Sequence, residues 1–183
     1  MWSRWPVGSI VIAVLLASAS TAGAEVRTAE LQVNGMTCPF CAFGIEKKLR
    51  DVEGVEEVEV RLDEGSLRLR LRKGNGASIR DLAQAVEKAG FELAALQLEV
   101  RGTLERHGRD SWIVVHADLR IRLLEPDGEG GTRPLSSDLR ERLLRDDEGA
   151  NRVIGRVLDP AAEQPALVVA PTPPAAEDEE RPE

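Results

Sequence analysis

Cysteine is almost missing from this sequence: Cys38 and Cys41 are the only two in 183 residues. A pair three positions apart closes too small a loop to staple a fold, which excludes a disulfide scaffold and leaves sulfur chemistry as the reason for the pair. Aromatic residues are nearly as scarce, with three Trp, three Phe and no Tyr, so any core is built from Leu, Val, Ile and Ala. There is no excess of basic charge: 24 Lys and Arg stand against 32 Asp and Glu, a formal net charge of -8. That excludes nucleic acid as a partner gripped through a basic surface. No apolar run reaches the roughly 18 residues that a membrane-spanning helix requires. There is no Gly-rich phosphate loop, and the spacing of Ser, His and Asp suggests no triad, so a hydrolase is unsupported.

The two ends of the chain have characters of their own. MWSRWPVGSIVIAVLLASASTAGAE carries one early positive charge at Arg4, an apolar run over Val7–Ala17 and small residues ending in Ala22-Gly23-Ala24. That order predicts a signal peptide over residues 1–24, with Glu25 as the first mature residue. No cysteine follows the cleavage point, so no lipid is attached there, and the expected product is periplasmic or secreted with no stable membrane anchor after cleavage. PTPPAAEDEERPE, residues 171–183, is Pro-rich, acidic and without apolar periodicity, which predicts a disordered acidic tail.

Between them the periodicity is informative. Residues 26–34 alternate as a strand, and Ile45, Leu49 and Val52 recur as one stripe of a helix, with Thr37 as a candidate cap, Pro39 in the first turn and Gly54 closing it. Residues 55–62 and 67–72 alternate with period two across a DEGS turn at 63–66, predicting a hairpin. Setting Val60 opposite Leu69 and Val58 opposite Leu71 also sets Glu59 against Arg70 and Glu57 against Arg72, apolar on one face and oppositely charged on the other. The arginine series reads as cross-strand ion pairing rather than an anion site. Residues 78–89 form a second amphipathic helix capped by Ser78 and ended by Gly90, and 91–96 a fourth strand. The order β-α-β-β-α-β over 25–96 predicts a ferredoxin-like α+β domain.

Residues 97–170 continue with strands at 96–106, 111–117 and 119–125, a loop at 126–134, a helix at 136–149 with Leu139, Leu143 and Leu144 on one side, and strands at 152–158 and 166–170. This is the element order of a small OB-like barrel, with Trp112 expected in its core. A strand shared near Leu96–Val100 would join the two domains with almost no linker. His107, in a turn, and His116, near a strand end, have no clustered donors beside them.

In GMTCPFC, residues 35–41, Cys38 lies just before the first helix and Cys41 in its first turn. The positive end of the helix and its free N–H groups favour thiolate over thiol. Two thiolates with an open side suit a soft ion of low coordination number, Cu(I) or Hg(II); Zn(II), which prefers four ligands, fits less well. A CxxC is also compatible with an exported thiol–disulfide oxidoreductase. Against this, a thioredoxin fold needs a different element order and a proline facing the disulfide, and no proline lies between Pro39 and Pro126.

The strand, the GMTCxxC loop and the helix it opens, inside a β-α-β-β-α-β unit, resemble the heavy-metal-associated domain family, which includes copper chaperones, the metal-binding domains of P-type ATPases and periplasmic mercury-binding proteins. The resemblance covers about residues 26–96. Val52-Glu53-Gly54-Val55 and Ala89-Gly90-Phe91 match its entries into the second and last strands. It implies Cys38 and Cys41 as the two metal ligands, Met36 packed inward beneath the loop, Phe91 near the loop as a shield and Lys88 near the thiolates. It also implies a carrier rather than an enzyme, with a metal-transporting membrane protein or another metallochaperone as partner. A metal- or redox-sensing module that controls a partner-binding barrel is a further reading. Pro39-Phe40 between the cysteines departs from the small or polar residues common in copper chaperones.

Overall fold

The computed structural model describes residues 24–74, 77–116, 119–145 and 151–170. The expected signal segment up to residue 23 and the expected tail 171–183 lie outside them. The first six elements are β1 (Glu25–Asn34), α1 (Pro39–Arg50), β2 (Val55–Arg61), β3 (Ser66–Leu71), α2 (Ile79–Lys88) and β4 (Glu92–His107). The strands pair in the order β2-β3-β1-β4, antiparallel throughout, which is the ferredoxin-like arrangement. Ala42, Ile45 and Leu49 of α1 and Ile79, Leu82 and Val86 of α2 are buried with Ala29 and Leu31 of β1 and Leu67 and Leu69 of β3 in one cluster. Ser78 caps α2 as expected, its Oγ accepting the Asp81 N–H at 3.3 Å.

Three local expectations are corrected. Helix α1 ends at Arg50, capped by Asp51, so Val52 lies beyond it, and Gly54 serves the turn into β2 instead of closing the helix. Thr37 does not cap α1; Cys38 takes the N-cap position. The β2–β3 hairpin is shifted by two residues: Val58 faces Leu69, Val60 faces Leu67, Glu59 faces Arg68 and Glu57 faces Arg70. Gly65, at φ 64, ends the loop one residue earlier than a DEGS turn would, so Arg61 pairs with Ser66. A two-residue slip preserves both alternations, so the pattern could not distinguish the registers. The opposite-charge face survives, with Arg70 Nη2 2.6 Å from Glu57.

The chain continues through β5 (Asp110–His116), β6 (Leu119–Pro126), β7 (Thr132–Pro134), α3 (Ser137–Leu144), β8 (Asn151–Val157) and β9 (Ala166–Val169). Strand β7, inside the expected loop, pairs with β6. The other pairings run in a closed ring: β4 with β5, β5 with β6, β6 with β9 in parallel, β9 with β8, and β8 back to β4. The pivot is β4, a single 16-residue strand where two were expected. Residues 97–101 pair with β1 on one edge and β8 on the other, and β5 takes over from Thr103. A boundary between residues 96 and 97 therefore falls inside a strand. Leu98, Val100, Ile113, Ile121, Val153 and Leu167 belong to the same buried cluster as the helix side of the first half, so one core runs from beneath the helices into the ring. Glu99 fastens the junction, accepting from Thr28 Oγ1 at 3.3 Å and pairing with Arg152 Nε at 2.8 Å.

Two expectations about ring side chains fail for reasons of phase. Ser111, Ile113 and Val115 are the buried positions of β5, so alternation turns the half-buried Trp112 to the outer face, in register with Glu105 and Arg122. Leu143 is buried and Leu139 partly so, but Leu144 is 55% exposed. The final residues of the expected helix, 146–149, lie outside the described residues.

Glu125 anchors the entry to α3. Its buried carboxylate accepts from Arg133 Nε at 2.7 Å, from the Ser136 N–H at 3.0 Å and from the Ser136 hydroxyl at 2.9 Å. Burial pushes its pKa up, but the Ser136 N–H and hydroxyl and the Arg133 guanidinium together outweigh that and hold it below the usual value. Its contribution to stability is complete above the ordinary Glu pKa of about 4.3 and is lost as pH falls from there through the lowered one. Glu125→Gln should cost about 1–3 kcal/mol at pH 7 and much less at pH 3, read from urea unfolding at the two pH values; an equal loss at both would refute an ionic role.

Candidate metal centre

Strand β1 carries the chain from the sheet centre to the loop at residues 35–38, opposite the start of β4, where Asn34 pairs with Glu92. Gly35 takes φ 83 and the Thr37 N–H donates back to the Gly35 carbonyl at 3.0 Å, so the loop folds tightly on itself. Met36 is buried beneath it at 2% exposure, leaving the sulfurs at the tip. Helix α1 then starts at Pro39, whose missing N–H is no loss in a first turn.

Cys38 is half-buried at the N-cap and Cys41 exposed in the first turn; both are free thiols. No oxygen side chain caps this helix and no acidic residue lies in its first turn. Its N–H groups are therefore left to sulfur. The Cys41 N–H first, then the Cys41 thiol and the Phe40 N–H, favour the Cys38 thiolate and lower its pKa, against a smaller opposing effect of burial. Cys41 moves the other way: its S–H donates to Cys38, and burial and the Cys38 charge add to the rise. Cys38 is thus the first of the two to ionise. A short iodoacetamide pulse near pH 8 should alkylate Cys38 several-fold faster than Cys41, read by peptide mass spectrometry, and Cys41→Ala should slow Cys38 by removing its S–H donor. Equal rates for the two cysteines would contradict this asymmetry.

The other residues singled out in the sequence lie in different places. Phe91 packs half-buried against the core at the entry to β4. Lys88 Nζ donates to Gln84 on its own helix at 3.4 Å. His107 is exposed on the β4–β5 hairpin, 3.3 Å from Glu105, at the end of β4 away from the cysteine loop, and His116 is exposed at the end of β5. Among the described residues no group of three or more His, Cys, Asp or Glu is placed to hold a metal. No described helix is long and apolar enough to cross a membrane.

Sequence reasoning passed over the neighbours of Cys41. The buried stripe of α1 is Ala42, Ile45 and Leu49, so Phe40 and Phe43 fall outside it and stand 89% and 68% exposed. Gly44 beside them is exposed, and a Cβ there would meet nothing within 4 Å. Glycine in a helix interior costs about 0.5–1 kcal/mol relative to alanine. The phase of the stripe was the signal that could have located all three.

The heavy-metal-associated domain model matches residues 30–92. The chain is 33% identical over 64 residues to the copper chaperone CopZ of Bacillus subtilis, covering 35% of this chain and 91% of that one. It is 31% identical over 83 residues to the periplasmic component of a mercuric transport protein of Shigella flexneri, covering 45% and 90%. To a copper-transporting ATPase of Rhizobium meliloti it is 39% identical over 69 residues, covering 38% of this chain and 8% of the ATPase.

Proposed function

The chain belongs to the heavy-metal-associated domain family, and on that premise we propose that it binds one soft metal ion through Cys38 and Cys41 and passes it on by ligand exchange. The supporting observation is the arrangement of the two sulfurs: a thiolate-favouring N-cap and an exposed first-turn thiol, on a tip with no competing carboxylate. Two sulfur donors with an open side suit Cu(I) or Hg(II), as the names of the copper and mercury relatives suggest, and leave Zn(II) short of ligands. In transfer, a partner thiolate attacks the open side, a three-coordinate intermediate forms, and the sulfurs of this chain leave in turn. No bond within a substrate is made or broken, so the reading is a carrier and not an enzyme.

We further read residues 1–24 as a signal peptide delivering the protein to the periplasm or outside, and a metal-transporting membrane protein or another metallochaperone as partner. The ring of β4, β5, β6, β9 and β8 reads as an OB-like barrel, with 25–96 and 97–170 as working units that share β4. The test is titration of the reduced protein with Cu(I), Hg(II) and Zn(II). One tightly held equivalent of Cu(I) or Hg(II) is expected, and no stoichiometric binding of either would sink the reading.

The unequal ionisation of the two thiols and the intervening Pro39-Phe40 also favour a second reading, thiol–disulfide exchange. Catalysis of insulin reduction separates it from a carrier.

A further inference from the structure

We propose that the mouth of the ring, at the end of β4 away from the sulfurs, is a binding site for a small amphipathic monocarboxylate. Ser111, Arg106 and Arg140 hold its acid group, and Leu104 and Leu144 its hydrocarbon part. The site is separate from the two cysteines and does not depend on the metal-carrier reading.

Ser111 is a polar residue at a core position. The phase of β5 that buries Ile113 and Val115 turns Ser111 inward as well, to 1% exposure. Its hydroxyl oxygen is buried and has no hydrogen-bond partner. The fold gains nothing from such a group, because burial strips its water and returns no bond. Ser111 lines a groove of about 260 Å³ together with Leu104, Glu105, Arg106, Arg140 and Leu144. Arg106 is the cross-strand partner of Ser111, and Leu104 that of Ile113, so both side chains share the inner face of the ring. Helix α3 supplies the rest of the wall through Arg140 and Leu144. Glu105 adds no charge to the groove, since alternation turns its carboxylate to the outer face, 3.3 Å from His107.

The lining selects the occupant. Neither guanidinium has a carboxylate partner among the described residues; Arg140 reaches the Ser137 hydroxyl at 3.4 Å. Two such cations beside a hydroxyl without a partner form an anion site, on a chain whose net charge is -8. A planar carboxylate matches the guanidinium fork and can accept the Ser111 O–H on its other oxygen. Leu104 is partly buried and Leu144 exposed at the end of α3, so the space next to the acid group suits hydrocarbon. A water does not meet this description, because an enclosed water needs roughly two to four polar partners and the leucines offer none. Inorganic phosphate would answer the arginines but leave both leucines uncovered. An acid with a short hydrocarbon chain satisfies the hydroxyl, the two cations and the apolar wall together.

The experiment titrates the whole reduced protein with octanoate, followed by backbone amide shifts in NMR spectra and by Tm. One equivalent should bind saturably, with the shifts centred on Leu104, Arg106, Ser111, Arg140 and Leu144. Octanol, acetate and phosphate each lack one half of the ligand and should bind at least about tenfold more weakly. Arg106→Gln/Arg140→Gln should weaken octanoate by about tenfold or more, as expected for lost charge-assisted bonds. Ser111→Ala gives a readout that a purely structural serine would not. Without ligand it should melt at or above wild type, since no bond is lost, yet hold octanoate about fivefold more weakly. A Ser111→Ala protein that melts well below wild type would return the hydroxyl to the fold and overturn the proposal. Octanoate binding that does not saturate, or that ignores all three polar side chains, would overturn it too. Displacement of octanoate by a more tightly bound peptide of residues 171–183 would assign the groove to the chain itself. A dimer in sedimentation that Leu144→Glu dissociates and octanoate does not would assign it to a second copy. Either result replaces the carboxylate as occupant.

Discussion

Replacing Cys38 with serine should reduce affinity for Cu(I) and Hg(II) by more than about a hundredfold, since loss of an outer-shell partner alone commonly costs 10–100-fold. Among the described residues no cluster of donors stands by to replace it. Cys41→Ser should be as damaging, but the two variants should differ in pH dependence. In Cys38→Ser the surviving sulfur is Cys41, whose rise in the intact pair comes mainly from its hydrogen bond to Cys38 and is relieved in this variant. Cys38 ionises more readily, because helix N–H groups stabilise its thiolate. An ion displaces the protons its ligands carry, so affinity falls as pH falls, by roughly tenfold per pH unit for each proton displaced. The wild-type dependence should therefore persist up to the raised pKa of Cys41. Competition titrations from pH 6 to 9 on wild type and both variants measure this. Retention of full affinity by either single variant would remove the two-sulfur site.

The largest structural effect is expected at Gly102, far along β4 from the sulfurs. This buried residue pairs with Asn151 of β8 at the point where β5 replaces β1 on the other edge. A Cβ there would overlap the Val114 carbonyl oxygen, lie 2.9 Å from Ile113 Cγ1 and 3.1 Å from the Val114 carbonyl carbon. Two of these atoms are backbone of the neighbouring strand, and moving them breaks the β4–β5 ladder. Gly102→Val should cost at least about 3 kcal/mol, the upper end of overpacking penalties, and lower Tm by roughly 6–12 °C. Gly44→Ala, with nothing near its added methyl, should raise stability by about 0.5–1 kcal/mol. Thermal melts followed by circular dichroism test both signs, and a Gly102→Val protein melting with wild type would show that the strands can part without penalty.

The first half was legible because each of its signals was local. Alternation marked β1, β2 and β3, Ser78 and Gly90 bracketed α2, and GMTCPFC marked the sulfur loop at the start of α1. The hairpin register was not legible, because a two-residue slip leaves apolar facing apolar and Glu facing Arg; the conformation of Gly65 decided it. Trp112 was misplaced because size suggested core, while the phase of β5 put Ser111 and Ile113 inside instead. Glu125 was an unremarkable acid in the sequence. Its partners Arg133 and Ser136 come together only when β7 folds back along β6.

By itself the sequence determined the chemistry on offer. With two cysteines, few aromatics and an acidic balance, it offers a single thiol pair, Cys38 and Cys41, whose place before a helical stripe set it on a helix end. Tertiary structure alone decided that β4 runs unbroken through both halves and that one core continues from beneath the helices into the ring. It also decided that Met36 lies buried beneath the sulfur loop. Side-chain periodicity is a property of neighbouring residues and can be read along the chain. Strand sharing, register and exposure depend on which distant segments meet, and a linear pattern constrains those only where the alternatives differ in burial or charge.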